Sequence, residues 1–141
     1  MQRHASAVWQ GTLKEGKGTL STQSGALREA AYSFSGRFES GTGTTPEELI
    51  AAAHAGCFTM SVSAKLSAAG FKPERLSTRA NLTLAQVQGN WSITTIHLEL
   101  TAKVPGLGRA QFDEVANDAR ANCIISRALT AEITLDAKLE E

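Results

Sequence analysis

The sequence predicts an α+β domain in which antiparallel strand pairs pack with one long helix, and three observations carry that expectation. Segments of alternating apolar and polar residues, joined by turn residues, lie on both sides of a long apolar run. That run has an explicit helix start at Thr45 and a stop at Gly70. A second helical pattern and a last alternating strand complete the chain. At 141 residues the chain is expected to form one domain, 1–141, because a chain of this length normally folds around a single core.

In chain order, Ala5 to Thr22 carries Val8, Trp9, Leu13 and Leu20 punctuated by Gly11, Gly16 and Gly18, the pattern of two short strands and a tight turn. From Tyr32 to Phe38 aromatic residues alternate with small or polar ones, which predicts a half-buried strand ending in a loop from Ser40 to Thr44. Thr45 at the N-cap, Pro46 at the first helical position and Glu48 three residues after the cap form a capping box. Helix formers then run from Leu49 to Ala69, with Lys65 suiting the C-terminal end of the dipole. Between Ala51 and Met60 nearly every face is apolar or small, so burial on all sides is expected. Ala80, Leu82 and Leu84, then Ile96 to Val104, read as a second hairpin turning at Gly89 and Asn90. Ala110 to Ala121 has helical spacing, Cys123 falls at or just after that helix, and Ile133 to Leu139 reads as a solvent-facing strand.

Lys plus Arg and Asp plus Glu each number 14, so no field of one sign exists to attract nucleic acid or an acidic membrane. Met1 to Leu13 lacks a sustained apolar run, which points away from a signal peptide and toward the cytoplasm. There a structural disulfide would not stay closed, so any bond between Cys57 and Cys123 would be transient. The two cysteines and His4, His54 and His97 show no close pair at zinc-ligand spacing, and no metal site is expected.

A buried cysteine is often a small hydrophobe, but Cys57 has unusual company. At about 100° per residue, Glu47, Ile50, His54, Cys57 and Ser61 fall in a stripe about 80° wide, more polar than a core requires. A reactive sulfur must be a thiolate, whereas an ordinary thiol with pKa near 8.5 is only about 3% ionised at neutral pH. Cys57 is about three turns from Thr45, beyond the reach of the helix dipole, so a cation has to activate it. Arg37, at the end of the expected strand, is the best candidate, and Glu47 is suited to hold its guanidinium by a two-pronged pairing. Glu47 and Cys57 stand about 15 Å apart on one straight helix. Either Arg37 spans the gap, the helix is broken, or Glu47 meets a partner chain; a dimer is favoured because it also covers the apolar helix.

Thr45-Pro46-Glu47-Glu48-Leu49 followed by Ala51-Ala52-Ala53-His54-Ala55-Gly56-Cys57-Phe58, with a second cysteine near the C-terminus, resembles the OsmC/Ohr family across essentially the whole chain. Trp9-Gln10-Gly11, Arg37-Phe38-Glu39 and Ala131-Glu132-Ile133-Thr134-Leu135 are similar to its OsmC branch. The resemblance implies an OsmC-like fold, an intertwined homodimer whose antiparallel sheets wrap central helices, with active sites at the subunit interface. It implies Cys57 as the peroxidatic cysteine, Cys123 as the resolving one, Arg37 as the active-site arginine and Glu47 as its acid. It further implies reduction of organic hydroperoxides and hydrogen peroxide, with a dihydrolipoyl protein or another dithiol as reductant and no cofactor. Ile124 departs from the family's common proline after the resolving cysteine, which bears on disulfide closure.

The expected cycle is attack of the Cys57 thiolate on the peroxide, condensation of its sulfenic acid with Cys123, and reduction by an external dithiol. Ile50, Phe58 and Met60 are weighed as a pocket for alkyl groups against plain core packing. His54 is weighed as a general base, with a packed structural role favoured, and Ser61 and Ser126 rank lower still. A redox sensor without sustained turnover is the alternative function, and a purely structural protein the third.

Overall fold

The computed structural model describes residues 1–38 and 42–141. Glu39, Ser40 and Gly41 lie outside the described residues, and with them the acid of the Arg37-Phe38-Glu39 segment and the start of the expected Ser40 to Thr44 loop. The chain forms two compact units, Met1–Leu49 and Ile50–Glu141.

The first unit is built on an antiparallel sheet of β1 (Ala5–Gln10), β2 (Lys17–Thr22) and β3 (Ala30–Tyr32), in that order. Trp9, Gly18 and Tyr32 stand side by side across it. The Trp9 and Tyr32 rings meet with centroids 5.4 Å apart, and a Cβ at position 18 would lie only 2.4 Å from the tyrosine ring. Only glycine leaves room for that aromatic pair.

The strand expected through Phe38 stops at Tyr32, and Phe34–Phe38 is a short helix, α1. Spacing explains the difference, because the alternating aromatics also place Phe34 and Phe38 at i and i+4, where their rings meet at a tilt with centroids 5.0 Å apart. Ser33 Oγ accepts a hydrogen bond from the Gly36 N–H at 3.1 Å, capping this turn. Arg37 therefore leaves from the last turn of a helix and not from a strand end.

α2 (Pro46–Ala68) begins as the capping residues dictate, with Thr45 Oγ1 accepting from the Glu48 N–H at 3.0 Å. The return arm differs from a full capping box, since Glu48 Oε1 accepts from the Thr44 hydroxyl. Gly70, at φ 89°, ends the helix; Phe71 N–H donates to Leu66 O and Gly70 N–H to Ser67 O, the paired bonds of a Schellman cap. Within one chain the helix buries a single stripe, His54, Phe58, Val62 and Leu66. Ala53, Gly56, Met60 and Ala64 remain exposed, so the burial expected on every face is not reached within the single chain.

In the second unit β4 (Arg75–Val87) and β5 (Asn90–Lys103) form an antiparallel hairpin. Its turn is Gln88-Gly89, both with positive φ, the geometry that matches strand twist. β5 is followed by α3 (Arg109–Asn122), α4 (Ile124–Ala128) and β6 (Glu132–Glu140). β6 pairs with β5 in parallel, so the second sheet is mixed and not antiparallel throughout. The reason is connectivity: α3 and α4 carry the chain back past the length of β5, the crossover a parallel pair requires. Ile96, Leu98, Leu100 and Ala102 of β5 pack in one core with the α2 stripe and with Phe112, Ala116 and Ala119 of α3. Along β6 the apolar residues are half-buried against that core while Asp136 and Lys138 face solvent. Lys65 of α2 pairs with Asp118 of α3 and holds that carboxyl below its usual range.

Candidate active site

In the N-terminal unit, α1 presents Arg37 and the first turn of α2 presents Glu47, which meet as an ion pair. Arg37 Nε donates to Glu47 Oε1 at 2.7 Å and Nη2 donates to the same oxygen. The expected fork is thus present, but it closes on one carboxylate oxygen. Oε2 of Glu47 is buried and has no hydrogen-bond partner among the described residues. Glu47 is 12% exposed and Arg37 42%, so the acid is the fixed element and the guanidinium faces outward. The guanidinium also lies over the Phe38 ring, 5.7 Å from its centroid. Beside it opens a concavity of about 250 Å³ lined by Trp9, Leu13, Tyr32, Phe34, Arg37 and Pro46. Its walls are largely apolar, with one permanent charge at the rim.

The second unit holds both thiols, and neither is in a disulfide. Cys57 is half-buried on α2 and packs against the core that contains Cys123. Cys123 is 3% exposed and sits where α3 ends and α4 begins, at φ −63° and ψ 152°. Its N–H closes α3 on Ala119 O, and its sulfur caps α4 by accepting from the Ser126 N–H at 3.4 Å. Ser126 Oγ lies 3.1 Å from the same sulfur and 2.7 Å from Nε2 of His54. His54 is completely buried, and loss of solvent pushes its pKa below 6.5.

Arg37 and Glu47 are therefore brought together, and the two cysteines share one packed cluster. α2 runs unbroken from Pro46 to Ala68, which removes the broken helix from the three expected ways of bringing Glu47 and Cys57 to one site. Phe58 is fully buried core, Met60 is 74% exposed, and Ile50 is half-buried against the core. His54 is packed and hydrogen-bonded, as its favoured structural role expects, and through Ser126 it joins a buried chain to Cys123 that its position in the sequence does not reveal. A cysteine at the end of a helical pattern with a serine three residues on, the spacing of a helix cap, was the available signal.

Residues 39–138 match the family model described as OsmC-like protein. The chain is similar to the protein named Peroxiredoxin OsmC of Escherichia coli strain K12, with 45% identity over 140 residues, 99% of this chain and 98% of that one. It is also 30% identical over 100 residues to the organic hydroperoxide resistance protein of Xanthomonas axonopodis pv. citri, covering 70% of this chain and 68% of the relative. Among solved structures, an OsmC-like protein from Vibrio cholerae superposes with a TM-score of 0.78 at 17% identity, over 97% of this chain and 99% of the other. At that identity the likeness concerns the fold.

Proposed function

The chain belongs to the OsmC-like protein family and is a cysteine-based hydroperoxide reductase, and from that premise we propose Cys57 as its peroxidatic sulfur, Cys123 as its resolving sulfur, and Arg37 held by Glu47 as the group that activates the site. The Cys57 thiolate attacks one oxygen of the hydroperoxide; the O–O bond breaks, alcohol or water leaves, and Cys57 becomes a sulfenic acid. Cys123 then displaces the hydroxyl to form the disulfide, and a dihydrolipoyl protein or another dithiol restores both thiols. Dithiol exchange alone closes the cycle, so no cofactor has a part in it. Cytoplasmic placement suits a catalytic disulfide that must be reopened each turnover.

The observation that carries the assignment is the Arg37 fork pinned by a largely buried Glu47. Among the described residues the guanidinium is held through Nε and Nη2, which leaves Nη1 for the peroxide oxygens, and the adjoining concavity is apolar enough for an alkyl group. The working unit we propose is an intertwined homodimer, in which the Arg37–Glu47 pair of one subunit serves Cys57 of the other. Two features support it. Among the described residues of Met1–Leu49 no hydrophobic side chain is fully buried in the single chain. On α2 the stripe Ala53, Gly56, Met60 and Ala64 is apolar, small for most of its length, and uncovered. α2 is also long and apolar enough to cross a bilayer by length and composition alone. Its buried His54 and its Lys65–Asp118 pair fit the centre of a protein dimer better.

Mass spectrometry after one equivalent of an organic hydroperoxide tests the site. A loss of two hydrogens joining the peptides of Cys57 and Cys123 is expected, with multiple turnovers once a dithiol is supplied. Cys57→Ser should be inactive, and Cys123→Ser should stop after one oxidation. Full peroxide consumption by the Cys57 variant, or a single stoichiometric oxidation of the wild type despite dithiol, would overturn the assignment.

A further inference from the structure

A thiol in a dry core needs a proton acceptor inside that core before its sulfur can attack anything. Cys123 is such a thiol, and its surroundings supply a chain of two further groups. Its sulfur lies 3.1 Å from Ser126 Oγ, which lies 2.7 Å from His54 Nε2; the three residues are 3%, 8% and 0% exposed. Ser126 and His54 are 72 residues apart in sequence, so only the packed fold makes the contact. Nδ1 of His54 has no hydrogen-bond partner among the described residues, which leaves the serine hydroxyl as the imidazole's one polar contact there.

We propose that Ser126 and His54 form a buried proton relay serving Cys123 during disulfide closure. This rests on the assignment of Cys123 as the resolving cysteine. As the Cys123 sulfur attacks the Cys57 sulfenic acid, its proton passes to Ser126 Oγ while the serine proton passes to Nε2. The developing thiolate is then faced by two donors, the Ser126 hydroxyl and the Ser126 N–H at 3.4 Å. One S–S bond forms, the S–H and S–O bonds break, and the departing hydroxide leaves as water. The proton lent to His54 balances that water, so no outside acid or oxidant enters. Burial suits the imidazole to the task by keeping it neutral, with a lone pair available to accept. His54 sits one helical turn before Cys57, so the relay ends on the element that carries the sulfenic acid. Ser126 and His54 act through Cys123 and touch no peroxide.

The test separates oxidation from closure in single turnovers with one equivalent of tert-butyl hydroperoxide, following trapped sulfenic acid and disulfide by mass. Ser126→Ala and His54→Asn are expected to oxidise at Cys57 at the wild-type rate but to close roughly a hundred-fold more slowly, the lower end of what a positioned base contributes. Sulfenic acid should accumulate in both. Ser126→Thr keeps the hydroxyl and should close normally, a rescue that a packing role alone would not produce. Closure at the wild-type rate in both deletion variants, or a Ser126→Thr variant as slow as Ser126→Ala, would overturn the relay. Absence of a Cys57–Cys123 disulfide in the wild type would overturn the resolving assignment and the relay with it.

Discussion

Arg37 and Glu47 show how unequal partners share one ion pair. Glu47 is nearly buried, with one oxygen unpartnered among the described residues, while Arg37 is close to half exposed. Their contact adds little stability in water, and its value lies in fixing where a guanidinium points. Arg37→Lys keeps the charge but loses the planar fork, so it is expected to slow peroxide reduction about ten-fold or more. Stopped-flow oxidation of Cys57 checks this, and an unaltered rate would remove the fork from the mechanism. At His54 the pH dependence is set by burial, which lowers the folded-state pKa below 6.5. The sign follows directly: the unfolded chain binds the proton first, so stability is intact above about 6.5 and falls as pH drops toward the folded-state value. Denaturation midpoints should therefore decline less between neutral and mildly acidic pH in His54→Asn than in the wild type. Parallel curves would show that His54 protonates as easily when folded as when unfolded.

At the scale of elements, the junction between α3 and α4 bears most directly on the proposed disulfide closure. Ile124 occupies the first helical position of α4, a place where proline is preformed for the helix and common. Cys123 already holds φ −63° and ψ 152°, the extended geometry that a following proline would impose. Isoleucine therefore reaches the same backbone without the covalent restraint. Ile124 is 69% exposed, so Ile124→Pro should be accommodated and should raise stability by about 0.4–1 kcal/mol through the unfolded state. Disulfide closure should be no slower, and thermal unfolding with single-turnover kinetics measures both. A destabilised or slow variant would show that the junction must move to let Cys123 reach its partner. The start of α2 was legible from Thr45-Pro46-Glu47-Glu48 because capping is local chemistry. α1 was not, because a five-residue helix offers too few positions to distinguish a period of two from an i, i+4 pair.

For the whole molecule the decisive question is whether a site draws residues from two chains. The Arg37→Ala and Cys57→Ser variants should each be inactive alone. If subunits share sites, dissociating and re-annealing an equal mixture produces dimers with one intact site, restoring about a quarter of wild-type activity. No recovery would mean that each chain supplies its own arginine, or that the chains do not exchange. Size-exclusion of tagged mixtures separates those two outcomes. The exposed α2 stripe is where the chains would meet, and small residues there permit close approach.

The sequence by itself determined the α+β class, the long capped helix and the two hairpins, and it supplied the four residues of the proposed site. These rest on local signals: caps, turn glycines, apolar periodicity and a motif around Cys57. Tertiary structure decided what lies far apart along the chain. It returned β6 parallel to β5, moved Arg37 onto a helix, closed the Arg37 fork on one oxygen of Glu47 and joined His54 to Cys123 through Ser126. The physical reason is that hydrogen bonds between side chains many residues apart depend on which helix faces meet. Packing selects those faces, and periodicity along one segment carries no record of the partner.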